Sequence, residues 1–551
     1  MIPMSSVLPC LPDPSNQSER QKYLRRQRLA YQYDHAFLEP LPLLNTAHQG
    51  LPFAEWLSPK YLVTRLIQTS KLPLNQTLAR VRAIFDRVDE LEDYQDFFPF
   101  LPKPSVMQNY YEDKSFAEQR LSGPNPVVLQ RFSDELKIRF AEDLKVLQGT
   151  LQSQGSSLDL DAILNAENLY LADYTNLAFV QRGSYEDKRQ YLAAPLAFFY
   201  YEHSNEHPGL RPLGIRISRT GPVITPGDRH WSWQYAKLCV QIADANHHEM
   251  STHLCRTHFV MEPFAIATAR QLAKNHPLGL LLRPHFRFLL ANGELGRTRL
   301  LGYIDRLLPG TLADSLKIVT SSYKSWNFQR SAFPQAIKNR GMDDQNAFPH
   351  YPYRDDGNLL WHAIYDFVFA YLQIYYETPQ VLKNDSELQA WAEELASPLG
   401  GRVQGFPHPI LDIEQLVDIV TNIIFTSGPQ HSAVNYTQYE YMSYMPNMPF
   451  AAYQPIRKTA DIQNELSLVP VLPPRTQAAE QLAIMYILGL PYYYDKLGHY
   501  DHPFAGKAKQ CVENFQEALN EAEQKIDARN QYRSIKYPYL KPSQITNSIS
   551  I

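Results

Sequence analysis

Cysteine is scarce and unpatterned: the 551 residues contain four, Cys10, Cys239, Cys255 and Cys511, with no C-x-x-C spacing. That excludes a zinc knuckle and a disulfide scaffold, and it points to free thiols in a reducing compartment. Charge of one sign is also lacking. A formal net charge of −4, with no long basic stripe, gives no basis for nucleic acid as a partner. No apolar run is long enough to span a bilayer, and MIPMSSVLPCLPDPSNQSERQ carries no charged segment followed by an apolar core. The expectation is a cytoplasmic chain, with surface contact to membranes left open. Fixed-period repeats and low-complexity arrays are missing too. What is present is an ordinary globular composition, 44% hydrophobic and 20% charged, in a chain able to bury a large core.

Residues 1–15 are rich in Pro and Ser and read as poorly ordered. From Ser18 the pattern is helical, and SPKYLVTRLIQTSKL and QTLARVRAIFDRVDELEDYQDF continue it, with apolar residues at helical rather than alternating spacing. Residues 1–110 are therefore read as a helical N-terminal extension, with the Pro-rich FFPFLPKPS (97–105) near its end. Lys22, Arg25, Arg26 and Arg28 beside Tyr23, Leu24 and Leu29 form either a solvated basic face or a surface suited to anionic membranes. The runs 169–174, 194–201 and 213–218 read as strands of a small sheet. Long helical stretches such as NLLWHAIYDFVFAYLQIYY and QLVDIVTNIIF follow, so 111–551 is expected to be a mainly α, largely helical body.

HHEMSTHLCRTH (247–258) resembles the zinc-protease signature H-E-x-x-H stretched by one residue, since His253 follows His248 by five positions. In an α-helix four steps return to within about 40° of the starting face, whereas five overshoot to about 140°. The extra residue thus either breaks a metal site or implies a π-widened turn, a feature found mostly at functional sites. His258 stands five further on. Hydrogen-bonded structural histidines are the plain alternative to a metal cluster. A second set lies in GPQHSAVNY, where His431 and Asn435 at i,i+4 can aim an imidazole and an amide oxygen at one point. The chain ends ITNSISI, and a buried Ile551 offers its terminal carboxylate. Imidazoles joined by weak oxygen donors suit iron better than zinc.

These segments, together with HPLGLLLRPHFRFLLANGELGR, YPYRDDG, NDSELQAW and the closing YPYL, closely resemble the lipoxygenase family from about residue 113 to the end, roughly four-fifths of the chain. The resemblance implies non-haem iron, one per chain, with His248, His253, His431, Asn435 and Ile551 as ligands. It places His258 outside the ligand set and Gln438 between the ligands and the substrate pocket. Glu249 becomes a neighbour on the widened helix rather than a protease base.

The implied reaction is dioxygenation of polyunsaturated fatty acids holding a cis,cis-1,4-pentadiene. An iron-bound hydroxide abstracts the hydrogen, and O2 traps the radical on the opposite face. Gly296 matches a position where the family carries alanine in S-forming and glycine in R-forming members, so an R hydroperoxide is expected. Close packing is the alternative reason for that glycine. Leu300 aligns with a wall residue of the same pocket. Two departures stand out. The β-sandwich that begins many members is absent from this reading of the first 110 residues, and the arginine that many plant members carry after Asn435 is missing from YTQYEYMSYMPNMPFAAYQP. A lipid-binding protein without turnover and a zinc hydrolase are the competing readings.

Overall fold

The computed structural model describes residues 9–47, 50–85, 87–181, 183–185, 188–204, 206, 208–491, 496–501 and 504–551, so the first part of the Pro- and Ser-rich start lies outside the described residues. Helices dominate. Five antiparallel strands pair in chain order: Gln130–Arg131, Leu169–Asp173, Leu196–Glu202, Gly209–Arg216 and Val223–Ile224. Side chains alternate across this sheet. Tyr170, Ala172, Ala197, Phe199 and Ile215 face the main core. Leu169, Leu171, Leu196, Phe198 and Leu213 face a smaller cluster shared with Phe140, Leu147 and Leu151. The three strand-like runs of the sequence thus became the sheet's centre. All four cysteines are free. Among the described residues no helix is long and apolar enough to cross a membrane.

In the first hundred residues helices stand at Gln17–Ala30, Pro59–Gln68 and Leu72–Phe85, but the last stops short of the helical run read through residue 97, where Leu91–Phe97 forms a 3-10 turn instead. Their apolar side chains, among them Tyr31, Leu72 and Ala79, belong to the same core cluster as the body of the protein. Polar ties run the same way: Arg20, inside the first helix, pairs with Glu387 at 2.6 Å and donates to Asn275 at 2.9 Å. Ser58 caps the second helix by accepting from the Tyr61 amide, with Pro59 just inside.

The centre of the molecule is an unbroken rod of α-helix His230–His247, π-helix His248–Phe259 and α-helix Val260–Gln271. Fourteen residues of the first stretch are buried, so this rod is core rather than surface. A second rod repeats the pattern with α-helix Ile413–Phe425, π segment Thr426–Gln430 and α-helix His431–Asn435. A proline marks each change of winding. Pro263 has no N–H to give the Phe259 carbonyl, and Pro429 none to give the Phe425 carbonyl, so an α ladder would lack a bond at each junction.

Candidate metal centre and its cavity

The widened turn inferred from H-x4-H is present, and it spans all three histidines of the series. The His248 and His253 rings stack with centroids 5.6 Å apart and planes 11° from parallel. From the second rod, His431 comes within 5.8 Å of the His253 ring and 5.1 Å of the His258 ring. One nitrogen each of His253, His258 and His431 lies within 4.8 Å of the others, a spacing that a single ion can bridge.

This differs from the expected arrangement in one respect. The resemblance put His258 outside the ligand set, and here its Nε2 stands 3.1 Å from His253 Nε2, within the group of three nitrogens. His248 was placed inside, but its Nε2 donates to the Val434 carbonyl at 2.8 Å, and its Nδ1 faces Glu249 Oε1 at 3.6 Å. The reason is helical geometry: i→i+5 winding puts all three rings on one face, and a backbone carbonyl of the facing rod competes for the first.

The donor set fits a metal. His431 is fully buried, and neither of its ring nitrogens has a hydrogen-bond partner. A buried polar atom left unpaired costs about 1–3 kcal/mol, which coordination would remove. Burial pushes the pKa of His253 down, and those of His258 and His431 well down, so these rings stay neutral, the form that ligates. Burial alone would raise Glu249, but the His248 and His253 rings that face it at 3.6 and 3.5 Å outweigh it and hold the carboxyl at about 2.

Asn435 is fully buried beside the cluster, its Nδ2 donating to Leu488 O at 2.8 Å and its Oδ1 accepting from Gln438 Nε2 at 2.9 Å. The bond joins the two amides that the sequence had singled out. The tail from Ile545 to Ser550 is buried and held along its length. The Asn547 carbonyl accepts from His285 Nδ1 at 2.9 Å, the Ser548 hydroxyl donates to Arg287 O at 2.8 Å, and the Ser550 carbonyl accepts from Tyr61 at 2.7 Å. Gly428 makes room for it: a Cβ there would stand 3.1 Å from the Thr546 carbonyl. Ile551 is half-buried at the end of this path.

A cavity of about 410 Å³ opens beside the cluster, within the range of small-molecule sites. His253, His258, Gly296 and Ile551 line it with apolar side chains such as Met250 and Ile304. Gly296 adopts ordinary right-handed angles, φ −57° and ψ −51°, and a Cβ built on it meets nothing within 4 Å. Neither backbone strain nor packing therefore demands glycine there; its effect is empty space. Leu300 ends the π segment Gly296–Leu300, and its side chain lies outside the described residues.

Sequence reasoning missed the group that fixes this wall. Arg297 pairs with buried Glu262 at 2.6 Å and with Glu294 at 3.0 Å. Glu262 in turn accepts from the Leu44 amide at 3.1 Å. Gly293 leaves the space that the Glu262 carboxylate fills. A glutamate inside the apolar stretch FVMEPFAIATA was the available signal, since buried carboxylates require partners.

Comparison with known proteins bears on the whole chain. The family model described as Lipoxygenase matches residues 26–539. A Linoleate 9/13-lipoxygenase of Pseudomonas aeruginosa is 34% identical over 490 residues, covering 84% of this chain and 70% of the relative. A lipoxygenase crystallised in complex with arachidonate superposes with a TM-score of 0.90 at 28% identity, over 99% of this chain and 83% of that one. The crystal structure of a coral 8R-lipoxygenase superposes with a TM-score of 0.89 at 30% identity, over the same shares. With its mainly helical body, buried histidine cluster and adjoining apolar cavity, the chain belongs to the lipoxygenase family of dioxygenases.

Proposed function

We propose that this lipoxygenase oxygenates free polyunsaturated fatty acids containing a cis,cis-1,4-pentadiene, of the linoleate, linolenate or arachidonate type, to R-configured hydroperoxides. One observation carries the reading: histidines of the cluster, the open space at Gly296 and the C-terminal Ile551 border the same apolar cavity. The names of relatives agree with it, one being a linoleate lipoxygenase and another an 8R-lipoxygenase.

In this reading His248, His253, His431, Asn435 and the Ile551 carboxylate hold one non-haem iron. Bound iron supplies the one-electron oxidation that lets a bis-allylic hydrogen leave. The chain's residues do the rest. The cavity holds the acyl chain and excludes water, buried neutral imidazoles keep the ligand charge low, and Gly296 leaves one side of the acyl chain open to O2. The hydrogen-bonded pair Asn435–Gln438 connects the ligand set to neighbouring packing, fixing the amide's orientation. A zinc-hydrolase role finds no support in this family assignment.

Metal analysis with chiral product analysis on linoleate and arachidonate tests the proposal. Stoichiometric iron, conjugated diene and an excess of R hydroperoxide are expected. Stoichiometric zinc, or iron without oxygen uptake, would overturn it.

Peripheral membrane contact through the N-terminal helices belongs to the same proposal. Helix Pro59–Gln68 exposes Leu66 and Ile67 by 72% and 67% while its Leu62 and Arg65 border the cavity. Lys22, Arg25 and Arg26 are exposed on the first helix. Flotation with anionic vesicles should carry the protein upward, and Leu66→Ser with Ile67→Ser should reduce the floated fraction; an unchanged fraction would count against this surface.

A further inference from the structure

A second cavity, of about 190 Å³, touches the histidine rod at residues other than those facing the substrate cavity. Thr252 and Arg256 reach it from the π-helix His248–Phe259, and Thr426 and Gln430 from the π segment of the other rod. The π-helix that carries His253 and His258 and the segment that leads into His431 therefore share this space. Arg330 and Arg340 line it as well, and no aspartate or glutamate does.

The arginines have only neutral partners. Arg256 donates from Nε to Ser322 Oγ at 3.0 Å and from Nη2 to Ser325 Oγ at 3.1 Å. Arg340 donates to the Leu129 carbonyl at 2.7 Å and to the Tyr351 hydroxyl at 3.0 Å. Among the described residues none of the three forms an ion pair with a carboxylate, whereas Arg20, Arg120 and Arg297, which are buried elsewhere, all do. Arg256 and Arg340 are half-buried and Arg330 exposed, so three positive charges meet a wall that carries no carboxylate, and an anion entering the space would be attracted by all three.

We propose that this cavity binds a small dianionic oxyanion of the hydrogen phosphate class, held by Arg256, Arg330 and Arg340. Charge selects the dianion, because a monocarboxylate would leave two of the three positive charges unmatched. Size selects a small ion, since the volume lies below the range that organic ligands occupy. Recognition falls on the guanidinium groups, whose planar forks suit oxyanions. An ion bound here is held by Arg256 of the π-helix that carries His253 and His258, so its binding stabilises that helix.

Calorimetric titration of inorganic phosphate into the iron-loaded enzyme, at constant ionic strength in sodium chloride, tests the site. One saturable event per chain is expected, weakened at least tenfold in Arg256→Gln and in Arg330→Gln. Arg330 is exposed, so its variant keeps the test valid if Arg256→Gln fails to fold. Phosphate should also raise the melting temperature of the wild type and not that of Arg330→Gln. No saturable binding, equal affinity in Arg330→Gln, or acetate binding as tightly as phosphate would each overturn the proposal.

Discussion

The Tyr61 hydroxyl donates to the Ser550 carbonyl at 2.7 Å, tying an N-terminal helix to the residue before the chain end. Arg65, one turn on, reaches the same carbonyl at 3.2 Å. The last residue is thus positioned by a segment outside the part of the chain that carries the recognised motifs. Tyr61→Phe should cost about 0.5–1.5 kcal/mol, the net value of such a bond, and should lower iron content more than a comparable loss of stability elsewhere. Adding one residue after Ile551 keeps both bonds but displaces the carboxylate. Iron should then fall while the melting temperature changes little; full iron in the extended protein would remove the carboxylate from the ligand set.

The H-x4-H spacing made the first π-helix legible, because five-residue periodicity is incompatible with one face of an α-helix. The sheet was legible because its strands alternate under dense aromatic and branched residues. The second π segment was not, although Pro429 in GPQH marks it: a proline also fits the first turn of a new helix, and local sequence does not separate the two. The role of the first hundred residues was hidden for another reason. Their helices were readable from periodicity, but contacts such as Tyr61–Ser550 and Arg20–Glu387 join residues hundreds of positions apart, and no local pattern encodes them. The placing of His258 among the three nitrogens was not legible either, because it depends on the facing rod, whose Val434 carbonyl engages His248 Nε2.

The ligand roles of His248 and His258 can be tested by metal content. If His248 ligates, His248→Gln should lose most of the iron and His258→Gln should keep it while altering the stability of the π-helix. The reverse pattern would transfer the ligand role to His258, whose nitrogen the geometry places in the cluster. Metal content measured after purification at neutral pH separates the two without reference to turnover.

Gly296→Ala fills space that nothing occupies within 4 Å. Helix propensity favours alanine over glycine by about 1 kcal/mol, so the variant should be as stable as the wild type or slightly more so. Under the proposed function its product should shift from R towards S, because the added methyl occupies the open space assigned there to O2. Chiral chromatography of the hydroperoxides measures this directly. An unchanged R:S ratio in a stable variant would remove Gly296 from stereocontrol.

His285 should make the C-terminal tail sensitive to acid. Its ring is fully buried between the Asn547 carbonyl at 2.9 Å and the Tyr500 hydroxyl at 3.3 Å. Burial lowers its pKa to about 4, against the hydrogen bond to Asn547, which acts to raise it. The unfolded chain takes a proton near pH 6.5, whereas the folded ring does not until about pH 4. Above pH 6.5 both states are neutral and the group is indifferent to pH; as pH falls through that window the unfolded state is increasingly favoured. From pH 7 to pH 5 the loss from this one group should be about 2 kcal/mol. Urea unfolding at the two pH values should show that slope in the wild type and a shallower one in His285→Gln. Equal slopes would assign the acid sensitivity to other buried histidines, such as His247, whose pKa is also held at about 4.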